Sequence, residues 1–321
     1  MKPLNNLDET EIIRIFQKNL NNKKFLSEDV EVFNLDKSKI IVKTDTLVES
    51  TDIPNTMNLR DAARKSVMAC ISDFAAKGVR PQYGTISVNL PRKITRAKIN
   101  QISKGFAEAS KEYGIYISGG DTNEGKEIVF NVCVFGKDKN ITHRKGAKIG
   151  DLLFVTGPFG YTPVGLGILM KKIKPKRQTS FTKKCTNAFL RPKPNLDFGI
   201  KCKKYFSSSM DSSDGLSSTL NEMANQSKKK FVVNNIPTKD EVEEFAKKQK
   251  INSESLIFHG GEEYETVFTV PPKHKKIIQK NAKMLKMPLI EIGYVTKGKN
   301  VFIKENGRQT QLKDLGWKHF S

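Results

Sequence analysis

The sequence predicts a protein of class α/β (α+β) with two domains, at residues 1–145 and 146–321. Short apolar runs typical of strands alternate with longer amphipathic stretches typical of helices. A length of 321 residues also suggests about two domains. The segment 143–151 separates two such series, because it is charged, contains glycine and lacks apolar periodicity. We therefore place the domain boundary there.

The first series begins with a helix, because Asp8 and Glu11 have the spacing of a capping box. Asn58 and Gly78 predict the beginning and the end of a second helix. The glycine pair before Asp121 predicts a turn between two strands. The complete pattern predicts strands at 39–43, 85–90, 115–118 and 127–136, and helices at 58–76 and 95–113.

The second series repeats this alternation. Its predicted strands are 151–157, 231–235, 265–270, 289–295 and 300–304. Its predicted helices are 162–172, 215–226, 238–249 and one through the 280s. The lysine-rich, proline-containing segment 173–194 predicts a long loop or short helices.

The chain is strongly basic, with 56 Lys and Arg against 34 Asp and Glu and a net charge of +22. The lysines are spread widely and are not interleaved with aromatic residues, so we expect a solvated surface and no nucleic-acid partner. No apolar run approaches the roughly 20 residues that cross a bilayer, and the N-terminus lacks an apolar signal core. We therefore expect a cytoplasmic protein without a membrane partner. The four cysteines contain no CxxC pair, so a zinc site or a disulfide framework has little support.

Acidic residues recur at turn-like positions, several beside glycine, along this basic chain. Single carboxylates so far apart form no local motif, but if they converge in the fold they make an oxygen cage for Mg²⁺, the usual partner of phosphate groups. Three of them also have a simpler interpretation: Asp45 as a helix or turn cap, Asp121 as part of a glycine-rich hairpin, and Asp214 as a helix cap. The acidic positions are Glu28, Asp29, Asp45, Asp73, Asp121, Asp211, Asp214, Glu262, Glu263 and Glu265.

The sequence contains no Walker A motif and no HRD or DFG motif of protein kinases. A phosphate site in this chain must therefore use metal ions and scattered donors. Phosphoryl transfer there would depend on positioning and on neutralisation of charge. No side chain is an obvious general base.

A combination of motifs resembles the thiamine-monophosphate kinase family, in order and over nearly the whole chain. The motifs are KTDTLVESTDIP, ACISDFAAKG, SGGDTN, HRKGAKIGDLLFVTGPFG, MDSSDGLSSTL, HGGEEYETVFTVP and the terminal GWKHF. The resemblance implies ATP-dependent, Mg²⁺-dependent phosphorylation of thiamine monophosphate to thiamine diphosphate by direct in-line transfer. It also implies the two-domain fold of aminoimidazole ribonucleotide synthetase, with N-terminal domains that form a barrel in a homodimer.

The resemblance also implies the site residues, with no catalytic side chain beyond the metal cluster. Several Mg²⁺ ions would be bound by Asp29, Thr44, Asp45, Asp73, Asp121, Asp211 and Asp214. ATP would contact Gly120, Asp121, Arg144 and Ser213. Thiamine monophosphate would contact Asp52, Glu262 and Trp317, the one tryptophan in the chain.

The chain departs from the family pattern at several of these motifs. Ser27-Glu28-Asp29 stands where Gly-Asp-Asp is usual, and Lys43 stands where a hydroxyl residue is usual. Other departures are Asp52 for histidine, Lys77 for methionine and Glu263 for aspartate. An aspartate beside a substrate phosphate repels it unless a metal ion or a lysine lies between them.

Three alternatives remain open at this stage. The chain could be another ATP-using enzyme of the same superfamily, such as aminoimidazole ribonucleotide synthetase. It could be a basic, non-catalytic nucleic-acid-binding protein, whose binding would weaken steeply with salt. It could also be an inactive protein with the kinase fold.

Overall fold

The computed structural model describes residues 8–22, 27–36 and 38–318. His319 and Phe320, which belong to the terminal motif, lie outside the described residues.

The first sheet is built from the N-terminal part of the chain. Its strand order is β1-β2-β5-β3-β4, and β3 and β4 are parallel whereas the other neighbours are antiparallel. The strands are β1 (Glu31–Leu35), β2 (Ser38–Val48), β3 (Pro81–Pro91), β4 (Tyr116–Gly125) and β5 (Val129–Asp138). The helices of this part are α1 (Glu9–Asn19), α2 (Glu49–Asp52), α3 (Leu59–Lys77) and α4 (Arg96–Tyr113).

The second sheet follows in the chain, with strand order β12-β11-β8-β10-β6-β9-β7. Its strands are β6 (Leu152–Val155), β7 (Ser208–Ser212), β8 (Lys230–Val233), β9 (Glu265–Val270), β10 (Ile290–Thr296), β11 (Val301–Glu305) and β12 (Arg308–Gln311). Its helices are α5 (Tyr161–Leu169), α6 (Ser180–Leu190), α7 (Leu196–Cys202), α8 (Leu216–Ser227), α9 (Asp240–Gln249) and α10 (Lys275–Met284).

Helix α3 joins the two parts of the fold. The Asn58 side chain accepts a hydrogen bond from the Asp61 amide at its start, and Gly78 ends it with a φ of 64°. Val67 and Phe74 pack in the core of the first sheet, while the Ala76 carbonyl accepts a hydrogen bond from Ser209 of β7. Because α3 contacts both sheets, nearly all of its side chains are buried, including charged ones. Charged residues of α3 are therefore held between the two sheets.

Much of the predicted element order is confirmed, including the capping of α1 by Asp8 and both ends of α3. Two predictions for the first sheet are wrong. Residues 119–122 form no turn but lie within β4, and Asp45 lies inside β2 and not at its end. Gly120 serves close strand packing, because a Cβ atom there would lie 1.7 Å from the Ile86 carbonyl oxygen. The boundary between residues 145 and 146 stays a prediction.

No helix in the described ranges is long and apolar enough to cross a membrane.

Candidate functional site

Three of the predicted metal ligands meet between the two sheets. Carboxylate oxygens of Asp29, Asp73 and Asp211 lie within 4.8 Å of one another, and all three residues are buried. Asp29 precedes β1, Asp73 lies on α3 and Asp211 lies on β7. The fold thus gathers carboxylates that are far apart in the sequence. We call these three residues the acidic cluster.

Contacts between α3 and β7 position the acidic cluster. Ser72 Oγ donates a hydrogen bond of 2.8 Å to Asp211 Oδ2. Ser209 Oγ donates one of 2.6 Å to the Ala76 carbonyl, so the strand is held to the last turns of the helix.

Asp214 does not cap α8, because Gly215 takes the cap position without a side-chain bond. The prediction of Asp214 as a helix cap is therefore wrong.

The cluster suits a hard divalent cation. All its donors are carboxylate oxygens, which Mg²⁺ prefers. Asp29 Oδ2 is buried without a hydrogen-bond donor among the described residues, although Lys77 Nζ lies 2.8 Å away in poor hydrogen-bond geometry. Burial and the nearby Asp29 carboxylate raise the pKa of Asp211 to about 6, against the effects of Lys43, Ser72 and Arg144. A bound cation would relieve this repulsion, so the donor set fits a metal ion.

Asp45 lies beside the cluster on the face of the first sheet that packs against α3. Lys43 Nζ is 3.0 Å from Asp73 Oδ2 and 3.9 Å from Asp45 Oδ2. Burial opposes the charge of Lys43, but Asp73, Asp45 and Asp211 raise its pKa above the usual value. The lysine therefore connects Asp45 to the acidic cluster.

Tyr264 interacts electrostatically with predicted metal ligands and with Glu262, a predicted substrate contact. Burial raises the pKa of this phenol well above its usual value, and the charges of Glu262, Asp45, Asp211 and Asp214 raise it further. These carboxylates thus share one electrostatic environment around the ring. The sequence alone indicated no role for Tyr264. The only available signal was its place in the GGEEYE motif.

The loop that carries Glu262 is held in an unusual backbone conformation. Glu262 and Tyr264 have φ values of 64° and 53°, which are uncommon for residues with side chains. The Glu262 amide donates to the Ser213 carbonyl at 2.6 Å. The Trp317 amide donates to the Asp214 carbonyl at 2.9 Å. Ser213 and Trp317 therefore lie at the same end of the fold as Glu262.

Lys65 contacts Glu262, one of the two predicted substrate carboxylates, and sequence reasoning missed it. Its ammonium group is 2.7 Å from Glu262 Oε1 and 3.5 Å from the centre of the Phe189 ring. Burial lowers the pKa of Lys65, while Glu262 and Asp52 oppose that shift. Asp52 also accepts a 2.7 Å hydrogen bond from the Val48 amide. Lys65 is thus a buried cation that is paired with Glu262 and lies within electrostatic range of Asp52.

Arg144 contacts the acidic cluster directly. Its Nε lies 2.5 Å from Asp29 Oδ1, and its Nη1 donates to Ser27 Oγ at 3.0 Å. Its backbone amide donates to Glu28 at 3.0 Å. Burial alone would raise the pKa of Glu28, but hydrogen bonds from His143, Lys77 and the Arg144 backbone lower it to about 2. Glu28 thus pairs with cations and is not a member of the acidic cluster.

The structure does not bring the Thr44 and Asp121 side chains to the cluster. Side chains alternate between the faces of a strand, so Thr44 points away from the face that carries Asp45. We call this opposite face the outer face of the first sheet, and Thr46 lies on it as well. Thr46 pairs with Asn131, which pairs with Ser87. Ser87 in turn pairs with Asp121, so Asp121 also lies on the outer face. Gly120 lies on the exposed edge strand β4, in line with Asp45 but three strands away. Within one chain these residues are therefore separate from the acidic cluster.

Two further carboxyl groups, those of Glu263 and Glu265, lie in the same segment of the chain as Glu262. Removal from water raises the pKa of Glu263 to about 8, although the Gly160 amide donates to it at 2.7 Å. Removal from water also raises the pKa of Glu265 to about 7, against hydrogen bonds from Thr156 and Asn195. Both groups therefore hold a proton more tightly than an ordinary glutamate.

The chain is similar to known proteins along nearly its whole length. Residues 27–137 match the AIR synthase related protein, N-terminal domain, and residues 148–305 match the C-terminal domain of the same group. The thiamine-monophosphate kinase of Nitrosopumilus maritimus is 61% identical over 317 residues, which cover 99% of this chain and 100% of the relative. That of Pyrococcus horikoshii is 34% identical over 315 residues, which cover 97% and 96%.

A solved structure shows the same fold. The structure of AaThiL complexed with AMPPCP and TMP matches with a TM-score of 0.85 and 27% identity, and covers 98% of this chain and 97% of that chain. Together with the sequence identities, this match confirms the predicted two-domain fold and the predicted family. The chain therefore belongs to the thiamine-monophosphate kinase family of the AIR synthase related proteins.

Proposed function

We propose that this chain transfers the γ-phosphoryl group of ATP directly to the phosphate of thiamine monophosphate, with Mg²⁺, and so forms thiamine diphosphate. The observation that carries the proposal is the convergence of two groups of residues. Tyr264 lies in the electrostatic field of Asp211 of the acidic cluster and of Glu262, and Glu262 contacts Lys65. Asp52 acts electrostatically on the same lysine. Such an arrangement can place two phosphate-bearing molecules next to each other. Family membership and the AaThiL complex support this interpretation.

Mg²⁺ would be held by Asp29, Asp73 and Asp211, with Asp45 and Asp214 in the same electrostatic environment. Bound Mg²⁺ supplies neutralisation of phosphate charge. The protein contributes rigidity, because the hydrogen bond between Ser72 and Asp211 fixes a carboxylate before substrates arrive. No general base is needed for this acceptor, since a phosphate group is already anionic near neutral pH.

Glu262 and Trp317 would bind the thiamine part of the substrate. Glu262 can pair with an amino group or a cationic ring, and the Trp317 side chain, 63% exposed, offers an aromatic face for a thiazolium cation. Lys65 would offset the charge of Asp52 near the substrate phosphate. Thiamine monophosphate carries both a cation and an anion, and this set of side chains complements both.

Arg144 and Ser213 would contact ATP beside the acidic cluster, whereas Gly120 and Asp121 would contact it from β4 after dimerisation.

The outer face of the first sheet supports a homodimer. Tyr83 and Tyr116 are 56% and 67% exposed there and contact each other edge to face. Sedimentation of the wild-type protein beside a Tyr83→Lys variant tests this assembly. A monomeric wild-type protein at micromolar concentration would contradict it.

The assay uses purified protein with Mg-ATP and thiamine monophosphate, and scores thiamine diphosphate by chromatography. We expect product from the wild-type chain and none from Asp211→Asn, which removes a charge from the acidic cluster. Asp240→Asn is the matched control, because Asp240 is exposed at the start of α9. Equal product from both variants would contradict the role of the cluster. Direct transfer also predicts that γ-labelled ATP leaves no label on the protein.

A further inference from the structure

Two lysines lie within the group of carboxylates where metal ions are proposed to bind. Lys77, in the last turn of α3, is 0% exposed and lies 2.7 Å from Glu28 Oε2 and 2.8 Å from Asp29 Oδ2. Lys43, on β2, is 25% exposed and lies 3.0 Å from Asp73 Oδ2. Both ammonium groups thus contact carboxylates of the acidic cluster.

Lys77 is held by two ion pairs and a hydrogen bond, and its role is therefore more than packing. Besides its two carboxylate partners, its Nζ donates a 3.0 Å hydrogen bond to the Ser209 carbonyl. A fully buried ammonium group is costly unless its charge is paired and its protons are bonded. Removal of Lys77 would leave Glu28 and Asp29 enclosed with less positive charge. The lysine therefore has the electrostatic function of a bound cation.

Lys43 has the same function on the other side of the cluster. It lies between Asp73 at 3.0 Å and Asp45 at 3.9 Å, a position from which a single positive charge acts on both carboxylates. A divalent cation that bridged these carboxylates would have to displace the ammonium group. Ammonium and metal ion therefore compete for the same space.

The negative charges of the acidic cluster are neutralised unevenly by the protein's own cations. Arg144 contacts Asp29, and Lys43 contacts Asp73. Among the described residues, the side chain of Asp211 instead accepts its hydrogen bond from the neutral hydroxyl of Ser72. A bound cation would consequently be needed most at Asp211.

We propose that Lys43 and Lys77 are resident counter-ions of the acidic cluster, so that the nucleotide-free chain binds fewer divalent ions than the same carboxylates would bind beside neutral side chains. This inference depends on the proposed metal site. It goes further by assigning to two lysines a function that bound metal would otherwise perform.

The test is a Mn²⁺ titration of the nucleotide-free, full-length protein, followed by electron paramagnetic resonance of free Mn²⁺. Lys43→Met removes the charge at nearly constant length, and we expect it to bind about one more Mn²⁺ per chain than the wild type. Lys43→Arg keeps the charge and is expected to match the wild type. Lys39→Met is the matched control, an exposed lysine on the same strand and face.

A second measurement, thermal unfolding with and without Mg²⁺, keeps the proposal testable if a variant folds poorly. We expect the Tm of Lys43→Met to fall in EDTA and to recover with millimolar Mg²⁺, while the Tm of the wild type changes little. Lys77→Met is expected to behave in the same way. Equal or weaker Mn²⁺ binding by Lys43→Met, or a loss of Tm that Mg²⁺ does not restore in either variant, would overturn the proposal.

The result is independent of the transfer assay. A wild-type chain that forms thiamine diphosphate while Lys43→Met gains no Mn²⁺ would overturn only the inference about the lysines. Absence of Mn²⁺ binding by every variant would overturn the proposed metal site together with this inference.

Discussion

Ser72 Oγ donates a 2.8 Å hydrogen bond to Asp211 Oδ2, and this contact connects α3 to β7 across the two sheets. Ser72 is buried, and it lies next to Asp73 in the sequence. One turn of helix therefore supplies both a member of the acidic cluster and the donor that orients another member.

Loss of this hydrogen bond is expected to destabilise the protein. Ser72→Ala leaves a buried carboxylate without its donor, which costs about 1–3 kcal/mol of unfolding free energy. Ser66→Ala is the matched control, because Ser66 is also buried on α3 but, within the described part of the chain, its hydroxyl bonds to the Ala63 carbonyl of its own helix. Urea denaturation measures both. Equal effects of the two substitutions would contradict a special role for the contact with Asp211.

The stability of the protein is expected to fall as the pH rises from about 4.5 to about 8 because of Glu265 and Glu263. Their folded-state pKa values are raised to about 7 and about 8, so the folded chain keeps protons that the unfolded chain has released. Each group can contribute a slope of up to about 1.4 kcal/mol per pH unit between its unfolded and folded pKa.

Glu265→Gln isolates the contribution of one group to this pH dependence. At pH 5 the variant should be about as stable as the wild type, and at pH 8 more stable by roughly 3 kcal/mol. Denaturant unfolding at several pH values measures the difference, in which contributions from Asp211 cancel. A difference that does not change with pH would show that Glu265 titrates normally in the folded protein.

Gly120 is expected to be intolerant of a side chain, and its neighbour tolerant. A Cβ atom at Gly120 would lie 1.7 Å from the Ile86 carbonyl oxygen, whereas one at Gly119 would meet nothing within 4 Å. Gly120→Ala should therefore lower the Tm by several degrees as β4 separates from β3, and Gly119→Ala should change it little. Thermal unfolding followed by circular dichroism compares the two. Equal Tm values would mean that β4 shifts without cost.

Trp317 provides an optical probe of substrate binding, since it is the one tryptophan in the chain. We expect thiamine monophosphate to quench its fluorescence, because a bound thiazolium ring would stack on the indole. Trp317→Ala should raise the KM for thiamine monophosphate by about five- to thirtyfold, if the stacking contributes about 1–2 kcal/mol. Trp317→Phe should retain part of the affinity. Unchanged KM in the alanine variant would remove Trp317 from the substrate site.

The local chemistry of the sequence was sufficient to predict individual elements. Asn58 and Gly78 predicted both ends of α3, because a side-chain cap and a left-handed C-terminal residue act within one helical turn. The same reasoning failed at residues 119–122. A glycine pair favours a turn in isolation, but here both glycines lie within β4, and Gly120 allows β4 to approach β3.

The sequence by itself determined the alternation of strands and helices, the family and the residue types available for metal chemistry. Only the tertiary structure decided which of these residues meet. Asp29, Asp73 and Asp211 come together because α3 packs against β7, whereas strand order and alternation direct Asp121 to the opposite face of the first sheet. Burial of Lys65 and Lys77 also depended on what packs around α3. Helical periodicity reports one apolar face, but a helix enclosed between two sheets buries its charged residues as well, and they must then find partners there.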